Sequence, residues 1–262
     1  MERPPVVLNY GAGTNSTALL VGMLERKERP DLVVFSDTGG ERPETYEYLE
    51  FIGDWLQREM GLPLTIVRWI RKDGTFVSLE DWCHKHGQLP SLAYGMKGCS
   101  VKWKAQPIDK FIRKEWEPGV QAVKDGGKIV RLLGYDADEP HRVGRGGAGP
   151  GDIWEFRYPL VEWNWGRAEC VDAITRAGLP SPGKSSCFFC PAMKKHEILN
   201  LRRERPDLIK RAIAIEHSAE SYSTASKGLG RNWTWEELVR ADEAQIDMFR
   251  DRIDLPCGCY DG

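Results

Sequence analysis

Residues 6–20 read VVLNYGAGTNSTALL, which passes from an apolar segment through a turn of small residues into a second apolar segment. The first segment predicts a buried strand over 6–9, and the second predicts a helix over about 15–28. A third apolar segment begins the stretch LVVFSDTG at 32–39, which follows this helix. Residues 6–39 are therefore predicted to form a strand, a glycine-bearing turn, a helix and a second strand.

The turn itself indicates an anion site. Backbone N–H groups of such a turn point at one spot, and the following helix N-terminus adds positive potential there. Ser16 and Thr17 supply hydroxyl donors. The turn itself matches neither GxxxxGK[ST] nor GxGxxG, so it is neither a Walker-type loop nor a dinucleotide fingerprint. A tight strand-to-helix turn without a ligand remains the alternative.

Composition describes an ordinary globular chain. It has 262 residues, of which 41% are hydrophobic and 29% charged, with a net charge of −2. This charge argues against a protein dominated by nonspecific nucleic-acid binding. No apolar run approaches the roughly 20 residues of a membrane-spanning helix, and the N-terminus has no signal-peptide pattern. Seven cysteines without such a signal favour a reducing, cytoplasmic location.

Further strands and helices alternate along the chain. Strands are predicted at 32–36, 64–68 and 128–134, and helices at 44–56 and near 109–113. This alternation predicts an α/β fold with a doubly wound, mostly parallel sheet. Ligands of such sheets bind beyond the carboxyl ends of the strands, where residues 11–17, 37–40 and 134–138 are expected.

The sequence also suggests two regions. Residues 1–157 are predicted to form a nucleotide-binding α/β core, and residues 158–262 a helical, loop-rich region that holds most of the remaining cysteines. Between them, residues 143–151 read VGRGGAGPG, which is typical of a flexible loop.

Five segments carry a family resemblance. The turn GAGTNST resembles the SGGxDS(T) loop of the PP-loop (adenine nucleotide alpha hydrolase-like) superfamily, and SDTGGERPETY at 36–46 resembles the DTGxxxPETY element of its phosphoadenosine phosphosulfate (PAPS) reductase-like branch. KGCSVKWKAQPI at 97–108, GYDADEPHR at 134–142 and CFFCP at 187–191 resemble later elements. The chain thus resembles the stand-alone PAPS reductase-like proteins common in phages and prophages.

The resemblance implies a site residue by residue. The nucleotide-binding positions would be Gly11, Ala12, Gly13, Thr14, Asn15, Ser16, Thr17, Ser36, Asp37, Thr38, Gly39, Gly134 and Glu139. Lys102, Lys104 and Arg142 would face the sulfate or phosphate end of the nucleotide. Thr14 and Asn15 stand where the superfamily loop usually carries Lys and Asp, the charged groups that serve ATP cleavage.

The cysteines are candidate metal ligands. Cys187 and Cys190 have the CxxC spacing that lets two thiolates hold one metal. With Cys99 and a tail cysteine, Cys259 or else Cys257, they would complete a ligand set for a [4Fe–4S] cluster, with Zn²⁺ or a metal-free pair as alternatives. Cys83 has no second cysteine at a metal-binding spacing. Cys170 lies at helical spacing with neighbouring apolar residues, which predicts a core position.

The tail PCGC at 256–259 has a rival role. It partly resembles the C-terminal ECGxH-like segment that carries the nucleophile of sulfonucleotide reductases, although its glutamate and histidine are absent. The resemblance makes Cys257 the catalytic thiol, with Lys102 and Arg142 assisting. Attack on sulfur would leave a thiosulfonate on the enzyme, and a thioredoxin-like thiol donor would resolve it.

Basic and aromatic clusters leave two interpretations open. Lys194-Lys195 and RRER at 202–205 suit either a phosphate backbone or a solvated helix face. The pairs Trp163/Trp165 and Trp233/Trp235 suit base stacking or, more simply, core packing.

Three functions follow from these patterns. The first is an oxidoreductase that cleaves or reduces a sulfonucleotide such as PAPS or adenosine phosphosulfate. The second is an ATP-dependent, iron–sulfur sulfurtransferase that thiolates tRNA or DNA. The third is a non-catalytic nucleotide or nucleic-acid binding module with a structural metal.

Overall fold

The computed structural model describes residues 3–144, 152–219 and 226–253. Five strands are present: β1 (Val6–Asn9), β2 (Leu32–Asp37), β3 (Leu64–Arg68), β4 (Ile129–Leu132) and β5 (Trp154–Arg157). The helices are α1 (Thr14–Glu25), α2 (Pro43–Met60), α3 (Leu79–His86), α4 (Gly98–Ser100), α5 (Gln106–Lys114), α6 (Glu117–Lys124), α7 (Pro159–Glu162), α8 (Arg167–Arg176), α9 (Lys195–Glu204), α10 (Pro206–Ala219) and α11 (Trp235–Ile253). Short 3-10 turns lie at Ser91–Tyr94 and Pro140–Arg142, and a π-helical turn at Val101–Ala105 joins α4 to α5.

The chain divides into two compact units. Unit 1 comprises residues 1–78 and 100–187, and unit 2 comprises residues 79–99 and 188–262. The whole sheet lies in unit 1. Residues 158–187, with α7 and α8, also belong to unit 1 by this division. The predicted boundary at 157/158, between a nucleotide-binding core and a C-terminal region, stays a prediction.

The sheet of unit 1 is parallel throughout. Its strand order is β3-β2-β1-β4-β5, and every neighbouring pair is parallel. The order changes direction at β1, which pairs with both β2 and β4. The predicted α/β, doubly wound parallel fold is therefore confirmed. Residues after β1 and β4 lie at this change of direction, where ligands of such sheets bind.

Both faces of the sheet are covered, because successive side chains of each strand point to opposite faces. On one face Leu8, Val33 and Leu132 join a core to which helices α1, α2 and α8 contribute. On the other, Val7, Val34 and Ile129 pack with Ile108 and Ile112 of α5. Burial on both sides explains why β1 and β2 begin with continuous apolar runs rather than alternating patterns.

Element bounds differ from the predictions in a few places. The first helix ends at Glu25 rather than near 28, because Lys27 adopts a positive φ of 56° and the chain turns back to begin β2. Strand β5 was not predicted: it has four residues and follows a glycine-rich run. Cys170 is fully buried, as predicted, and Trp163 and Trp165 pack against the core of unit 1.

Unit 2 is helical in its described part. Helix α10 packs against α3 and α9. Arg211 Nε of α10 donates a hydrogen bond to Glu80 Oε1 of α3 at 2.9 Å. The buried carboxylate of Glu216 accepts hydrogen bonds from the N–H groups of Leu229 (2.7 Å) and Trp235 (2.9 Å). This contact ties the turn before α11 to α10. No helix in the described ranges is long and apolar enough to cross a membrane.

Candidate functional site

The predicted phosphate loop lies between β1 and α1. Ala12 adopts a positive φ of 54°, and Gly13 precedes the first turn of α1 with extended backbone. Ser16 Oγ donates to Gly13 O at 3.0 Å and accepts from Gly13 N–H at 3.2 Å, which fixes the loop. The first turn of α1 contains no acidic residue. The positive end of this helix therefore meets no competing carboxylate on its own first turn.

Gly134, just after β4, packs directly on this loop. A Cβ atom at Gly134 would lie 3.1 Å from Ser16 N and 3.2 Å from Asn15 C, both backbone atoms. Only a residue without a side chain allows so close an approach of two backbone segments. The structure thus brings together two segments that the resemblance assigned to one nucleotide site.

Asn15 is held by side chains from distant segments. Its Nδ2 donates to Asp136 Oδ2 at 2.8 Å, and its Oδ1 accepts from Arg167 Nη1 at 3.2 Å. Asp136 is 4% exposed, and its Oδ1 has no hydrogen-bond partner among the described residues. A neutral amide therefore occupies the place of a charged loop residue, oriented by an acid on one side and a base on the other.

Asp37 at the end of β2 is buried and saturated with donors. Its Oδ1 accepts from the Gly39 N–H (2.8 Å) and the Tyr46 hydroxyl (2.9 Å), and its Oδ2 accepts from Arg68 Nε (2.8 Å). Burial and the nearby Asp37 carboxylate raise the pKa of Tyr46, so this hydroxyl stays protonated and keeps donating. This carboxylate orders the segment that follows β2.

The π-helical turn contacts the same strand end. Ser36 Oγ donates to the Trp103 carbonyl at 2.7 Å. A π turn shifts the helical hydrogen-bond pattern, and such turns often occur at functional sites. The ammonium group of Lys102 lies 4.5 Å from the Trp69 ring centre and 4.4 Å from that of Trp103. Burial and the charge of Arg71 lower the pKa of Lys102.

A thiol lies beside the residues that follow β2. The Cys187 Sγ is 3.1 Å from Thr38 Oγ1 and 3.9 Å from Glu41 Oε1. Glu41 is 4% exposed, and its Oε1 lies 3.5 Å from Lys104 Nζ. The thiol, hydroxyl, carboxylate and ammonium groups thus form a chain of contacts inside unit 1. The carboxylate is positioned to take a proton from the thiol.

The segment that contains Cys187 also reaches the glycine loop. A Cβ atom at Gly13 would lie 2.6 Å from Ser185 Oγ, so the Ser185 side chain packs against that glycine. Residues 185–187 therefore run past both the phosphate loop and Thr38.

Arg142 and Glu139, which the resemblance assigned to the nucleotide site, contact each other. Arg142 Nη1 forms an ion pair with Glu139 Oε2 at 2.7 Å, and its guanidinium carbon lies 4.1 Å from the Tyr135 ring centre. Tyr135 stacks in turn on Tyr158, with ring centres 5.8 Å apart. These residues form a half-exposed aromatic cluster after β4, in which the Arg142 charge is paired with Glu139.

The structure describes three of the four predicted metal ligands. Cys187 belongs to unit 1, whereas Cys99 and Cys190 belong to unit 2; Cys257 and Cys259 lie outside the described residues. Within the described ranges, no group of three or more His, Cys, Asp or Glu side chains is placed to hold a metal ion. Because Cys259 lies outside the described residues, the set Cys99, Cys187, Cys190 and Cys259 stays a prediction.

Sequence reasoning did not assign four residues of this arrangement: Glu41, Asp136, Arg167 and Ser185. Glu41 lies inside the DTGGERPETY segment and Asp136 inside GYDADEPHR, so the motifs contained a signal for both. Arg167 and Ser185 lie in no recognised pattern. Their positions follow only from which segments meet at the carboxyl ends of the strands.

Comparisons with known proteins do not show a family for this chain. No protein-family model matches the chain. An uncharacterised protein of Methanocaldococcus jannaschii is 24% identical over 246 residues, which cover 91% of this chain and 46% of that protein. The chain thus spans about half the length of this curated relative. Among solved structures, the U34-tRNA thiolase NcsA from Methanococcus maripaludis, with its [4Fe–4S] cluster, has a TM-score of 0.44 and 13% identity, covering 92% of this chain and 81% of that one.

Proposed function

We propose that this protein binds an adenine nucleotide at residues 11–17 and uses it in sulfur transfer, with the Cys187 thiol as the sulfur-handling group. The observation that carries the proposal is the position of that thiol. It lies 3.1 Å from Thr38 Oγ1 at the end of β2, in a segment whose Ser185 packs against Gly13 of the loop. One strand-end site thus combines a phosphate-binding loop and a thiol.

The loop supports the nucleotide part of the proposal. Its small residues, its hydroxyl groups and the start of α1 form the donor set that phosphate oxygens prefer. The resemblance to the PP-loop superfamily is the reason to propose that this phosphate belongs to an adenine nucleotide. The parallel sheet, with the loop at its change of strand order, agrees with this assignment.

Sulfur transfer to an ATP-activated acceptor is our first candidate reaction. An acceptor oxygen attacks the α-phosphate, pyrophosphate leaves, and the acceptor is held as an adenylate. A persulfide sulfur, supplied to Cys187 by a sulfur donor, then attacks the activated carbon, and AMP leaves. A second thiol breaks the remaining S–S bond, which releases the thiolated product and a disulfide. Glu41 would take the Cys187 proton, and Lys104 would stabilise the resulting charge.

Cleavage of a sulfonucleotide is the second candidate, and one observation favours it. Thr14 and Asn15 are uncharged, and both ends of the Asn15 amide are occupied by Asp136 and Arg167. The loop therefore lacks the charges that serve pyrophosphate cleavage in ATP-splitting relatives. In that reaction Cys257 would be the nucleophile, and Lys102 and Arg142 would bind the sulfate end.

Product analysis separates the candidates. The full chain, purified without oxygen, is incubated with ATP, adenosine phosphosulfate or PAPS, each with and without RNA or DNA and a thiol donor. AMP and pyrophosphate that form only with nucleic acid present support sulfur transfer, and sulfite release supports the sulfonucleotide reaction. Nucleotide binding without any turnover would support the non-catalytic module instead.

A variant tests the thiol directly. Cys187→Ala should abolish sulfur transfer while leaving nucleotide affinity within about twofold, because the loop donors are unchanged. Cys83→Ala, at a buried cysteine of unit 2, serves as the matched control. Full turnover by Cys187→Ala would refute the role of this thiol, and loss of binding to every nucleotide tested would refute the nucleotide site.

A further inference from the structure

Unit 2 carries a cationic turn before α11, which we define as residues 227–233. Lys227 N–H donates to Arg231 O at 2.7 Å, and Arg231 N–H donates to Gly228 O at 2.9 Å. The Glu216 carboxylate anchors this turn from below by accepting the Leu229 and Trp235 N–H groups. Lys227 and Arg231 are both exposed. The turn thus presents two cations on a rigid, buried support.

Arg231 occupies a strained backbone position. Its φ is +70°, in the left-handed region that glycine and asparagine adopt more readily than arginine. Such a position is strained and is found preferentially at functional sites. The Arg231 guanidinium also lies over Gly95, where a Cβ atom would meet it. The turn therefore keeps an arginine where its own backbone favours glycine.

An aromatic ring and a second pair of cations adjoin the turn. The half-buried Trp233 indole packs against Gly230, and Lys195 Nζ lies 5.2 Å from its ring centre. Lys194 and Lys195 stand at the N-terminus of α9, where positive charge is unfavourable for the helix. An external anion at this point would remove that disadvantage.

Neighbouring acids are engaged elsewhere. Glu236 contacts His217 and Arg240, Glu237 accepts the Thr234 N–H, and Glu197 accepts the Lys194 N–H. Among the described residues, the side-chain charges of Lys194, Lys195, Lys227 and Arg231 form no ion pair. By contrast, Arg202 is paired with Asp242 and Glu243, and Arg205 with Asp207. Of the two basic segments noticed in the sequence, Lys194-Lys195 is thus the one without paired cations, whereas two of the three arginines of the other are paired with acids.

We propose that the cationic turn, together with Lys194 and Lys195, is a binding surface for single-stranded nucleic acid. The four cations would contact successive phosphates, and the Trp233 ring would support a base by stacking. The net charge of −2 does not oppose this, because the positive charge is local. Binding of the strand is independent of the proposed function, but its use as the acceptor of sulfur rests on that function.

Fluorescence anisotropy with a labelled 20-nucleotide RNA or DNA strand tests the binding surface. The double variant Lys195→Ala/Arg231→Gly should weaken binding by about tenfold or more at moderate salt, and the slope of log affinity against log salt should fall by about 1.4, or about 0.7 per lost phosphate contact. Lys114→Ala, at an exposed lysine of α5 in unit 1, is the control for general loss of charge and should change the affinity less than twofold.

Stability separates binding from a structural role. Glycine accepts the positive φ of residue 231 without strain, so Arg231→Gly should keep or raise the melting temperature while it weakens binding. A structural role alone would lower the melting temperature and leave the salt slope unchanged. That result would overturn the proposal.

Three further outcomes would overturn it. They are failure of the wild-type chain to bind either strand, equal affinity in the double variant, and preferential binding to polyglutamate or to phosphatidylserine vesicles. ATP binding by the double variant is measured in parallel. Retained ATP affinity with lost strand binding supports the surface, whereas failure of the wild-type chain to bind ATP, with strand binding intact, counts against the nucleotide site alone.

Discussion

Single residues of the strand-end site act through close approach and through hydrogen bonds between distant segments. Gly134 allows the segment after β4 to lie on the loop backbone, and Asp136 orients Asn15. Cys187 lies beside Thr38 and Glu41. Each effect depends on one atom or one hydrogen bond, so single substitutions can separate them.

Gly134→Ala should lower the free energy of unfolding by about 1–3 kcal/mol, because the added Cβ would press on the backbone of residues 15 and 16. It should also weaken nucleotide binding, since the loop must move. Gly53→Ala within α2 is the control: its Cβ would meet only Leu64 Cβ at 3.8 Å, so stability should rise by about 0.5–1 kcal/mol. Urea unfolding and ATP titration measure both effects, and an unchanged Gly134→Ala protein would contradict the packing argument.

Cys83 and Cys170 should resist alkylation in the native protein. Burial raises the pKa of each thiol to about 12, so the reactive thiolate fraction at pH 8 is on the order of one in ten thousand. Iodoacetamide labelling followed by peptide mass spectrometry should find both cysteines modified only after denaturation. The half-buried Cys99 serves as the accessible reference. Rapid native labelling of Cys170 would show that the core around α8 opens.

At the scale of elements, buried polar groups hold turns against helices. Asp37 orders the segment between β2 and α2, and the π turn gives the Trp103 carbonyl to Ser36. In unit 2, Glu216 of α10 holds the turn that precedes α11. The Asp37 and Glu216 carboxylates each accept hydrogen bonds from two or more donors, so replacing either residue affects a whole segment.

Glu216→Gln should lower the free energy of unfolding by about 1–3 kcal/mol, because an NH₂ group would face the Glu236 N–H. Burial raises the pKa of Glu216 above its ordinary value of 4.5. At pH values between 4.5 and the raised pKa, the folded state holds this proton and the unfolded state does not. The contribution of Glu216 to the free energy of unfolding of the wild-type protein therefore falls as pH rises.

The deficit of Glu216→Gln should therefore be larger at pH 5 than at pH 7, as measured by urea unfolding. Glu204→Gln, at the exposed end of α9, is the control and should show no such difference. A deficit that grows with pH would reverse the sign and contradict the burial argument.

At the scale of the molecule, the sheet of unit 1 is most protected at its centre. Strand β1 has hydrogen-bonded neighbours on both sides and apolar clusters on both faces, whereas β3 and β5 are edge strands. The exposed Ile66 on β3 shows how much less an edge strand buries. Protection should therefore decrease from the middle of the sheet outward.

Hydrogen exchange measured by mass spectrometry should find the slowest amides at residues 6–9 and 32–37 and faster ones at 64–68 and 154–157. Exchange in β5 that is slower than in β1 would contradict the strand order. Added ATP should slow exchange further at residues 11–17 if the nucleotide binds there.

The sequence by itself determined the local elements and the class of fold. The apolar run at 6–9 and the glycine turn after it, the strand at 64–68 and the alternation of strands and helices were readable because each depends on neighbours within a few positions. The chemical types at the strand ends were readable for the same reason. Strand β5 was missed because four residues carry too short a pattern.

Only the tertiary structure decided which of these residues meet. Asn15 and Asp136 are 121 positions apart, and Thr38 and Cys187 are 149 apart. No periodicity reports such pairs, because they arise from the order in which parallel strands assemble and from the side chains that share a strand end. The same holds for unit 2, where Arg202 is neutralised by acids from α11 and the Lys195 side chain lies over Trp233. Local sequence identifies the groups, and long-range packing decides their partners.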